Sequence, residues 1–317
     1  MNKSKCPVCK SSRTIKYGSR KGIQTYKCNE CGYRFRNSNQ LSDSQIWALY
    51  QDKKQTVSDL SELLHVSESS VKRRLHDISI EWTQPDLHRR SGFVHLDATY
   101  WGHSWGVMAA IEEASGRPLY MSFIRSETNQ DYIDAVQSIE ERGYVINGLI
   151  IDGKKSLFSI FSTYKIQMCQ FHMKEIVKRY LTGNPRLKAA RALKCLMDNL
   201  TWMDKETFVQ CYQKWKQDWW QTLNRRSHLK SGKTQYTHRR LRTAMNSLDF
   251  YLPYLFTYQE PECKGMPNTN NKIEGTFTDL KKNLNNHSGM SKENRKRFIS
   301  GFFLALDGRL HKESESL

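Results

Sequence analysis

Residues 146–153 of the chain read Ile-Asn-Gly-Leu-Ile-Ile-Asp-Gly, an apolar run that ends in an aspartate and a glycine. A continuous apolar run of this length is typical of a strand that is buried within a sheet. Upstream, residues 92–100 read Gly-Phe-Val-His-Leu-Asp-Ala-Thr-Tyr and predict a second strand that also bears an aspartate. These two stretches predict a sheet in which Asp97 and Asp152 converge on neighbouring strands.

The elements around these strands indicate the topology of the sheet. Two further strands are predicted over residues 106–111 and 118–124, and a helix is predicted over residues 129–142. Three hairpin-connected strands, then a helix, then a strand is the order of an RNase H-like sheet. We therefore predict an α/β RNase H-like catalytic core, with residues 91–174 as its first part.

Two carboxylates at neighbouring strand ends have a chemical consequence. Close carboxylates repel each other unless a cation lies between them. Their hard oxygen atoms suit Mg²⁺ or Mn²⁺, and two such ions can support phosphodiester cleavage. Taken alone, however, an aspartate at a strand end is more often a turn former than a metal ligand. Asp97 and Asp152 are therefore only candidate ligands on this pattern.

The charge of the chain is unevenly distributed. The formal net charge is +18, with +8 over residues 1–90, −3 over residues 91–172 and +11 over residues 173–250. Basic faces attract polyanions such as DNA or RNA. The acidic segment between the basic flanks is consistent with bound divalent metal. Nucleic acid is therefore the partner that we expect.

The sequence contains no feature that predicts a membrane location or export. It has no run of about 18 apolar residues, so no membrane-spanning helix is predicted. Residues 1–9 are polar and contain a cysteine pair, unlike a signal peptide. We therefore expect a cytoplasmic, nucleoid-associated protein that has no membrane partner.

Four of the eight cysteines form two tight pairs near the N-terminus, namely Cys6, Cys9, Cys28 and Cys31. Two C-x-x-C turns with this separation are typical of a tetrahedral zinc site. Short strands over residues 14–17 and 24–27 flank a turn at residues 18–22, which predicts a zinc ribbon over residues 1–38. Its basic residues favour contact with phosphate over a purely structural role.

Residues 39–84 have the pattern of a helix-turn-helix domain. Ser42 can begin one helix, Thr56 or Ser58 a second, and Ser67 a third that contains Val71, Leu75 and Ile78 on its apolar side. The polar side of the third helix contains basic residues that are typical of DNA recognition, namely Lys72, Arg73 and Arg74. The alternative is an ordinary amphipathic bundle with a solvated basic face.

The chain resembles the DDE transposases of bacterial insertion sequences, in particular the Mutator-like group. The resemblance covers roughly residues 92–305 and depends on three motifs. Asp152-Gly153 is followed by Leu157, a C-x-x-H signature spans Cys169–His172, and Glu274 lies in the pattern Asn271-Lys-Ile-Glu-Gly-Thr-Phe. Zinc ribbons and helix-turn-helix modules also occur in such transposases.

The resemblance implies an activity and a set of site residues. It implies that Asp97, Asp152 and Glu274 are the catalytic triad that binds Mg²⁺ or Mn²⁺. It further implies cleavage of double-stranded DNA at transposon ends, followed by attack of the freed 3′-hydroxyl on target DNA. A homodimer is expected, because two DNA ends must be brought together. The rival acids for the third position are Asp279, Glu260 and Glu262.

The 122 positions between Asp152 and Glu274 predict an α-helical insertion over residues 175–262, before the final core helices at residues 263–310. The insertion contains aromatic residues at helical spacing, namely Trp202, Phe208, Tyr212, Trp215, Trp219 and Trp220. They are most simply explained as the core of a helical bundle, although an exposed tryptophan could stack on a splayed base.

His172 and Lys281 are predicted to contact DNA. His172 lies at a helix N-terminus, where a phosphate is favoured. Cys169 is interpreted as a small buried core residue, because no second cysteine or histidine pair lies nearby in the sequence to complete a zinc site with it. Two alternatives to a transposase remain open: a related nuclease that cuts without joining, and a DNA-binding regulator whose RNase H-like domain is inactive.

Overall fold

The computed structural model of the chain describes residues 5–20, 23–36, 41–51, 54–78, 80–102, 104–229, 231–287 and 289–314. The chain divides into two units. The first comprises Met1–Glu81 and Lys282–Phe302, and the second comprises Trp82–Lys281 and Phe303–Leu317. Among the described helices, none is both long enough and apolar enough to span a membrane.

The first unit begins with a three-stranded antiparallel sheet in the order β1-β2-β3, formed by β1 (Thr14–Arg20), β2 (Ile23–Cys28) and β3 (Arg34–Arg36). Both predicted strands are confirmed, although residues 21 and 22 of the predicted turn lie outside the described residues. The sequence pattern does not predict β3, whose three residues are extended because they pair with β2. Among the residues that the structure describes, the buried cluster consists of Cys6, Cys28 and Phe35, with Tyr26 packed against it, so this sheet has almost no apolar core.

Three helices follow, at the predicted positions: α1 (Asp43–Gln51), α2 (Val57–Leu64) and α3 (Glu68–Asp77). The Thr56 side chain accepts a hydrogen bond from the Asp59 backbone and begins α2, and Ser67 does the same for α3 through Ser70. His65 ends α2 with a left-handed φ of 52°. Leu63 shares the apolar spacing of α2 but is 52% exposed.

The second unit contains a five-stranded mixed sheet, of which the sequence analysis predicts the first four strands. Its strands are β4 (Ser91–Tyr100), β5 (Gly106–Glu112), β6 (Pro118–Ile124), β7 (Val145–Ile151) and β8 (Ile166–Met168), in the order β6-β5-β4-β7-β8. β4, β5 and β6 are antiparallel, whereas β7 lies parallel to both β4 and β8. β4 and β7 are therefore adjacent, and both point in the same direction.

Helices cover this sheet. α4 (Asn129–Glu141) lies between β6 and β7 in the chain and begins with a capping box formed by Thr128 and Asp131. Its buried face consists of Tyr132, Ala135, Val136 and Ile139, which belong to the same apolar cluster as side chains of the sheet. α5 (Lys155–Ile160) follows β7 directly. Burial of this face fixes the sheet and therefore the ends of its strands.

The predicted insertion is mainly helical and consists of most of α6 (Gln170–Leu181), then α7 (Lys188–Asp198), α8 (Lys205–Asp218), α9 (Trp220–Asn224), β9 (Arg226–His228), β10 (Thr234–Tyr236), α10 (Arg239–Tyr251) and short 3₁₀ turns at residues 200–202, 252–254, 257–259 and 261–263. The sequence pattern does not predict the β9–β10 hairpin. Among the aromatic residues, Phe208, Tyr212 and Trp215 are buried, as a bundle core requires, whereas Trp202 is 86% exposed and Trp220 is 65% exposed.

The last helices are α11 (Asn271–Asn285) and α12 (Lys292–Ser314). Residues 282–302 belong to the first unit. Within that unit, Phe298 packs edge-on against Tyr50 with ring centroids 5.7 Å apart. The Arg297 guanidinium donates hydrogen bonds to the carbonyl groups of Leu75, His76 and Ile78 at the end of α3. Part of the predicted segment 263–310 therefore stabilises the three-helix region.

Candidate active site and metal centres

Asp97 and Asp152 lie on adjacent parallel strands. The last paired positions of β4 and β7 are His95 and Ile150. Continuing this register by two positions on each strand brings Asp97 beside Asp152. Asp152 is the first residue after β7, whereas Asp97 lies within β4, three residues before its end. The strand pairing thus produces the convergence that the sequence predicts.

Cys169 and His172 come from the connection between β8 and α6. The Cys169 backbone N–H donates to the Ile151 carbonyl at 3.0 Å, which extends the β7–β8 pairing to the residue before Asp152. Cys169 is fully buried, and His172 lies in the first turn of α6. This pairing brings both side chains next to Asp152.

Glu274 lies in the first turn of α11. Its backbone N–H donates to the Asn270 carbonyl at 3.2 Å, which begins the helix. The buried apolar residues that follow or precede Glu274 in the first three turns of α11 are Ile273, Phe277 and Leu280. Burial of these three side chains fixes the rotation of the helix and leaves Glu274 half-buried.

The ligand atoms of Asp152, Cys169, His172 and Glu274 all lie within 4.8 Å of one another. We call these four residues the donor cluster. His172 Nδ1 is 2.9 Å from Asp152 Oδ1 and 3.6 Å from Glu274 Oε1. Among the described residues, His172 Nδ1 and Glu274 Oε1 are buried atoms that have no aligned hydrogen bond. Buried polar atoms are nearly always hydrogen-bonded, so their convergence here indicates a site for a ligand.

The titratable groups of this site are strongly perturbed. Burial raises the pKa of Asp97 well above its ordinary value, and the neighbouring Asp152 carboxylate raises it further. Burial also raises the pKa of Glu274, although His172 opposes that shift. For His172, burial opposes the charged form, but contacts with Asp152 and Cys169 outweigh it and raise the pKa to about 11. The contacts with Asp152 and Cys169 therefore favour the charged form of His172.

The three carboxylates have the chemistry of ligands for the divalent cation that the resemblance implies. Asp97, Asp152 and Glu274 supply the hard oxygen donors that Mg²⁺ and Mn²⁺ prefer. The raised pKa of Asp97 reflects burial and repulsion by Asp152, which a cation between the two carboxylates would relieve. Glu274 Oε1 has no hydrogen bond among the described residues. The residues present therefore fit such an ion.

A buried polar network that the sequence analysis does not predict positions Asp152. The Asn270 side-chain amide donates to Asp152 Oδ1 at 3.3 Å and to the Leu96 carbonyl at 3.5 Å. Asn270 Oδ1 lies 2.7 Å from His95 Nδ1, and His95 Nε2 lies 2.5 Å from Glu113 Oε2. One signal was available: His95 is two positions before Asp97, so both side chains lie on one face of β4.

The rival carboxylates lie elsewhere. Asp279 is exposed on α11 and is absent from the donor cluster. Glu260 and Glu262 pair with Lys165 at 2.7 and 3.3 Å. Of these four acids, Glu274 is the one that shares the donor cluster with Asp152.

The second group of potential metal ligands is formed by the four N-terminal cysteines, as the spacing predicts. The Sγ atoms of Cys6 and Cys31 are 3.6 Å apart, and those of Cys9 and Cys28 are 3.4 Å apart. A zinc–sulfur bond of about 2.3 Å implies a tetrahedral edge of about 3.8 Å. The Cys31 backbone N–H is the main reason that the pKa of Cys28 is lowered, which favours the thiolate. The geometry therefore fits zinc.

The predicted DNA-contacting residues lie at different sites. Lys72 and Arg73 are exposed on α3, and Lys72 pairs with Glu68 at 3.3 Å. Arg74 is half-buried and donates to the Leu41 carbonyl at 2.8 Å, so its role is at least partly structural. Lys281 is exposed near the middle of α11.

No protein-family model and no curated protein matches the chain. Among solved structures, it is similar to a chain of the simian T-cell lymphotropic virus intasome in complex with PP2A regulatory subunit B56 gamma, with 12% identity and a TM-score of 0.21 over 49% of this chain and 68% of that chain. It is also similar to a chain of the Drosophila P element transposase strand transfer complex, with 10% identity and a TM-score of 0.33 over 89% of this chain and 93% of that chain. TM-scores this low support no argument about fold or function.

Proposed function

We propose that this protein is a DNA transposase with an RNase H-like core, in which Asp97, Asp152 and Glu274 are the catalytic carboxylates. The observation on which the proposal depends is the convergence of three acidic residues that are far apart in the sequence. Asp97 and Asp152 follow the register of the two central parallel strands. Glu274 reaches Asp152 from a separate helix, 122 positions along the chain. A structural role alone requires neither Asp97 close to Asp152 on the central strands nor Glu274 in the donor cluster with Asp152.

The residues of the site would have separate roles in metal binding, orientation and phosphate contact. Asp97, Asp152 and Glu274 would hold Mg²⁺ or Mn²⁺, which supplies activation of water and charge neutralisation at the scissile phosphate. Asn270 orients Asp152 through its side-chain amide. His172 lies in the first turn of α6, where the helix dipole would favour a phosphate.

The remaining parts of the proposal concern DNA binding. Residues 1–38 would form a zinc ribbon and residues 39–84 a helix-turn-helix that binds transposon ends, with Lys72, Arg73 and Arg74 on the DNA side. Residues 91–174 and those parts of the segment 263–310 that belong to the second unit, residues 263–281 and 303–310, would form the core around an insertion at residues 175–262. Lys281 would contact the DNA backbone. Pairing of two ends implies a homodimer on DNA, associated with the nucleoid.

The proposal is tested by a Mg²⁺-dependent cleavage assay on DNA that contains the terminal sequences of the element. We expect Asp97→Asn, Asp152→Asn and Glu274→Gln each to lower the cleavage rate by at least about 100-fold, because ligand loss should exceed the 10–100-fold effect of removing an outer partner. The matched control is Asp279→Asn, since Asp279 lies on the same helix as Glu274 but is exposed. Activity retained in any of the three variants removes that residue from the triad.

Two other outcomes distinguish the alternatives. A protein that cleaves but cannot join a pre-cut 3′ end to target DNA is a nuclease and not a transposase. A protein that binds a specific site and shows no Mg²⁺-dependent cleavage is a DNA-binding regulator. Either result would replace the proposed activity while leaving the description of the site intact.

A further inference from the structure

The donor cluster contains two ligands that a magnesium site does not need. Cys169 offers a thiolate and His172 an imidazole, in addition to the carboxylates of Asp152 and Glu274. Thiolate and imidazole ligands favour zinc and other late transition metals, whereas Mg²⁺ prefers oxygen ligands alone. One sulfur, one nitrogen and two oxygen atoms around a common point form the donor set of a four-coordinate zinc site.

We propose that Asp152, Cys169, His172 and Glu274 form a second transition-metal site, which binds Zn²⁺ in addition to the zinc held by the N-terminal cysteines. The geometry requires little adjustment. Zinc bonds of about 2.0–2.3 Å imply ligand–ligand distances of about 3.3–3.8 Å. His172 Nδ1 already lies 2.9 Å from Asp152 Oδ1 and 3.6 Å from Glu274 Oε1. The limit of 4.8 Å on all pairs leaves at most about 1.5 Å to close.

Two independent features of the surroundings point to a bound cation. The first is that His172 Nδ1 and Glu274 Oε1 are buried without an aligned hydrogen bond among the described residues. The second is that the Asn270 backbone N–H donates to Cys169 Sγ at 3.2 Å. Hydrogen bonds from outside the ligand set orient metal ligands and stabilise their charged forms. Cys169 therefore has the environment of a ligand in addition to that of a core residue.

Zinc at this site would occupy Asp152 and Glu274 and so exclude them from a magnesium site. The consequence, that Zn²⁺ inhibits Mg²⁺-dependent DNA cleavage, rests on the proposed function. The binding of zinc does not, because it depends only on the four side chains. The test therefore measures metal content directly and treats cleavage as a separate readout.

The test counts zinc atoms in the full-length protein by mass spectrometry after loading and removal of unbound metal. Cys195 and Cys211 are exposed, so both are changed to serine in every sample. We expect two zinc atoms per chain in this background and one after Cys169→Ala or His172→Gln. The matched control is Cys263→Ala, since Cys263 is also buried but lies outside the donor cluster. It should retain both zinc atoms.

Replacement of zinc by Co²⁺ provides a second measurement that does not depend on counting. The thiolate-to-cobalt absorption should fall when Cys169 is changed to serine, and circular dichroism should show that the variant is folded. A single zinc atom in the parent protein, or equal zinc loss in the Cys169 and Cys263 variants, overturns the proposal. Two zinc atoms in the loaded protein, with no Mg²⁺-dependent cleavage even after the zinc outside the N-terminal cysteines has been removed, would instead contradict the proposed function alone. Cleavage with one zinc atom after full loading would contradict this inference alone.

Discussion

The two metal-ligand groups of this protein are assembled in opposite ways. The four cysteines of the ribbon lie within 26 positions, in two pairs that each belong to one tight turn. The donor cluster draws one residue from the end of β7, two from the β8–α6 connection and one from α11. The first group is a property of the local sequence, whereas the second exists only once the sheet and α11 have formed.

Because of this difference, metal should be needed for one region to fold but not for the other. Among the described residues, the ribbon buries little apart from Cys6, Cys28 and Phe35, so metal must supply most of its folding energy. The donor cluster lies beside a large apolar core that includes side chains from all five strands of the sheet and from several helices. Its position is set before any ion arrives. Metal removal should therefore unfold one region and leave the other folded.

The largest expected effect comes from removing one of the four N-terminal cysteines. Cys28→Ser should abolish zinc binding by the ribbon and unfold residues 5–36, because structural zinc contributes about 10–16 kcal/mol of apparent binding energy to such small modules. Hydrogen exchange should show loss of protection in β1, β2 and β3 only. Cys195→Ser, which changes an exposed cysteine, is the control. Loss of protection in β4 and β7 as well would show that the two regions are not independent.

The donor cluster should instead be sensitive to loss of Asn270, the residue that positions Asp152. Asn270→Ala removes the amide that contacts Asp152 and Leu96. We expect a loss of about 1–3 kcal/mol in stability, because His95 loses a buried partner. The cleavage rate should fall about 10–100-fold, with a higher Mg²⁺ requirement.

Asn268→Ala is the matched control for this variant. Asn268 lies in the same loop, and its side chain donates to Gln170 at 3.0 Å instead of to Asp152. We expect the Mg²⁺ requirement of this control to be unchanged. If both variants alter that requirement equally, Asn270 has no specific role in positioning Asp152.

The same contrast explains which features could be predicted from sequence. The cysteine spacing, the caps at Thr56 and Ser67 and the strand that ends at Asp152 are local patterns, and each is present in the structure. The involvement of Cys169 in the donor cluster was missed, because its partners Asp152 and Glu274 are distant in sequence. Asn270 was missed for the same reason, since nothing near it predicts contact with β4 and β7 together.

A third effect concerns the repulsion between the carboxylates of Asp97 and Asp152 before metal binds. Burial and Asp152 raise the pKa of Asp97, so the folded metal-free protein loses stability as the pH rises from the ordinary aspartate pKa towards this raised value. Asp97→Asn should therefore raise the Tm of the metal-free protein at pH 8. Each kcal/mol of relieved repulsion corresponds to about 2–4 °C for a unit of this size.

The pH dependence separates this explanation from a general improvement in packing. The difference in Tm between wild type and Asp97→Asn should shrink as the pH is lowered towards 4, because Asp97 is then protonated in wild type as well. Asp279→Asn, which changes an exposed acid, should show no such trend. A gain in Tm that is constant from pH 4 to 8 would contradict the assignment.

The smallest effect tests whether even the locally predicted helices depend on distant residues. α3 has its own N-cap, yet its last carbonyl groups accept hydrogen bonds from Arg297, more than 200 positions away. Arg297→Ala should cost the first unit about 1–2 kcal/mol, because charged donors that satisfy helix ends contribute on this scale. The expected result is faster hydrogen exchange in α3 and weaker DNA binding. Arg295→Ala, two positions earlier in α12 and also half-buried, should change neither. If Arg297→Ala leaves hydrogen exchange in α3 unchanged, the stability of this helix does not depend on Arg297.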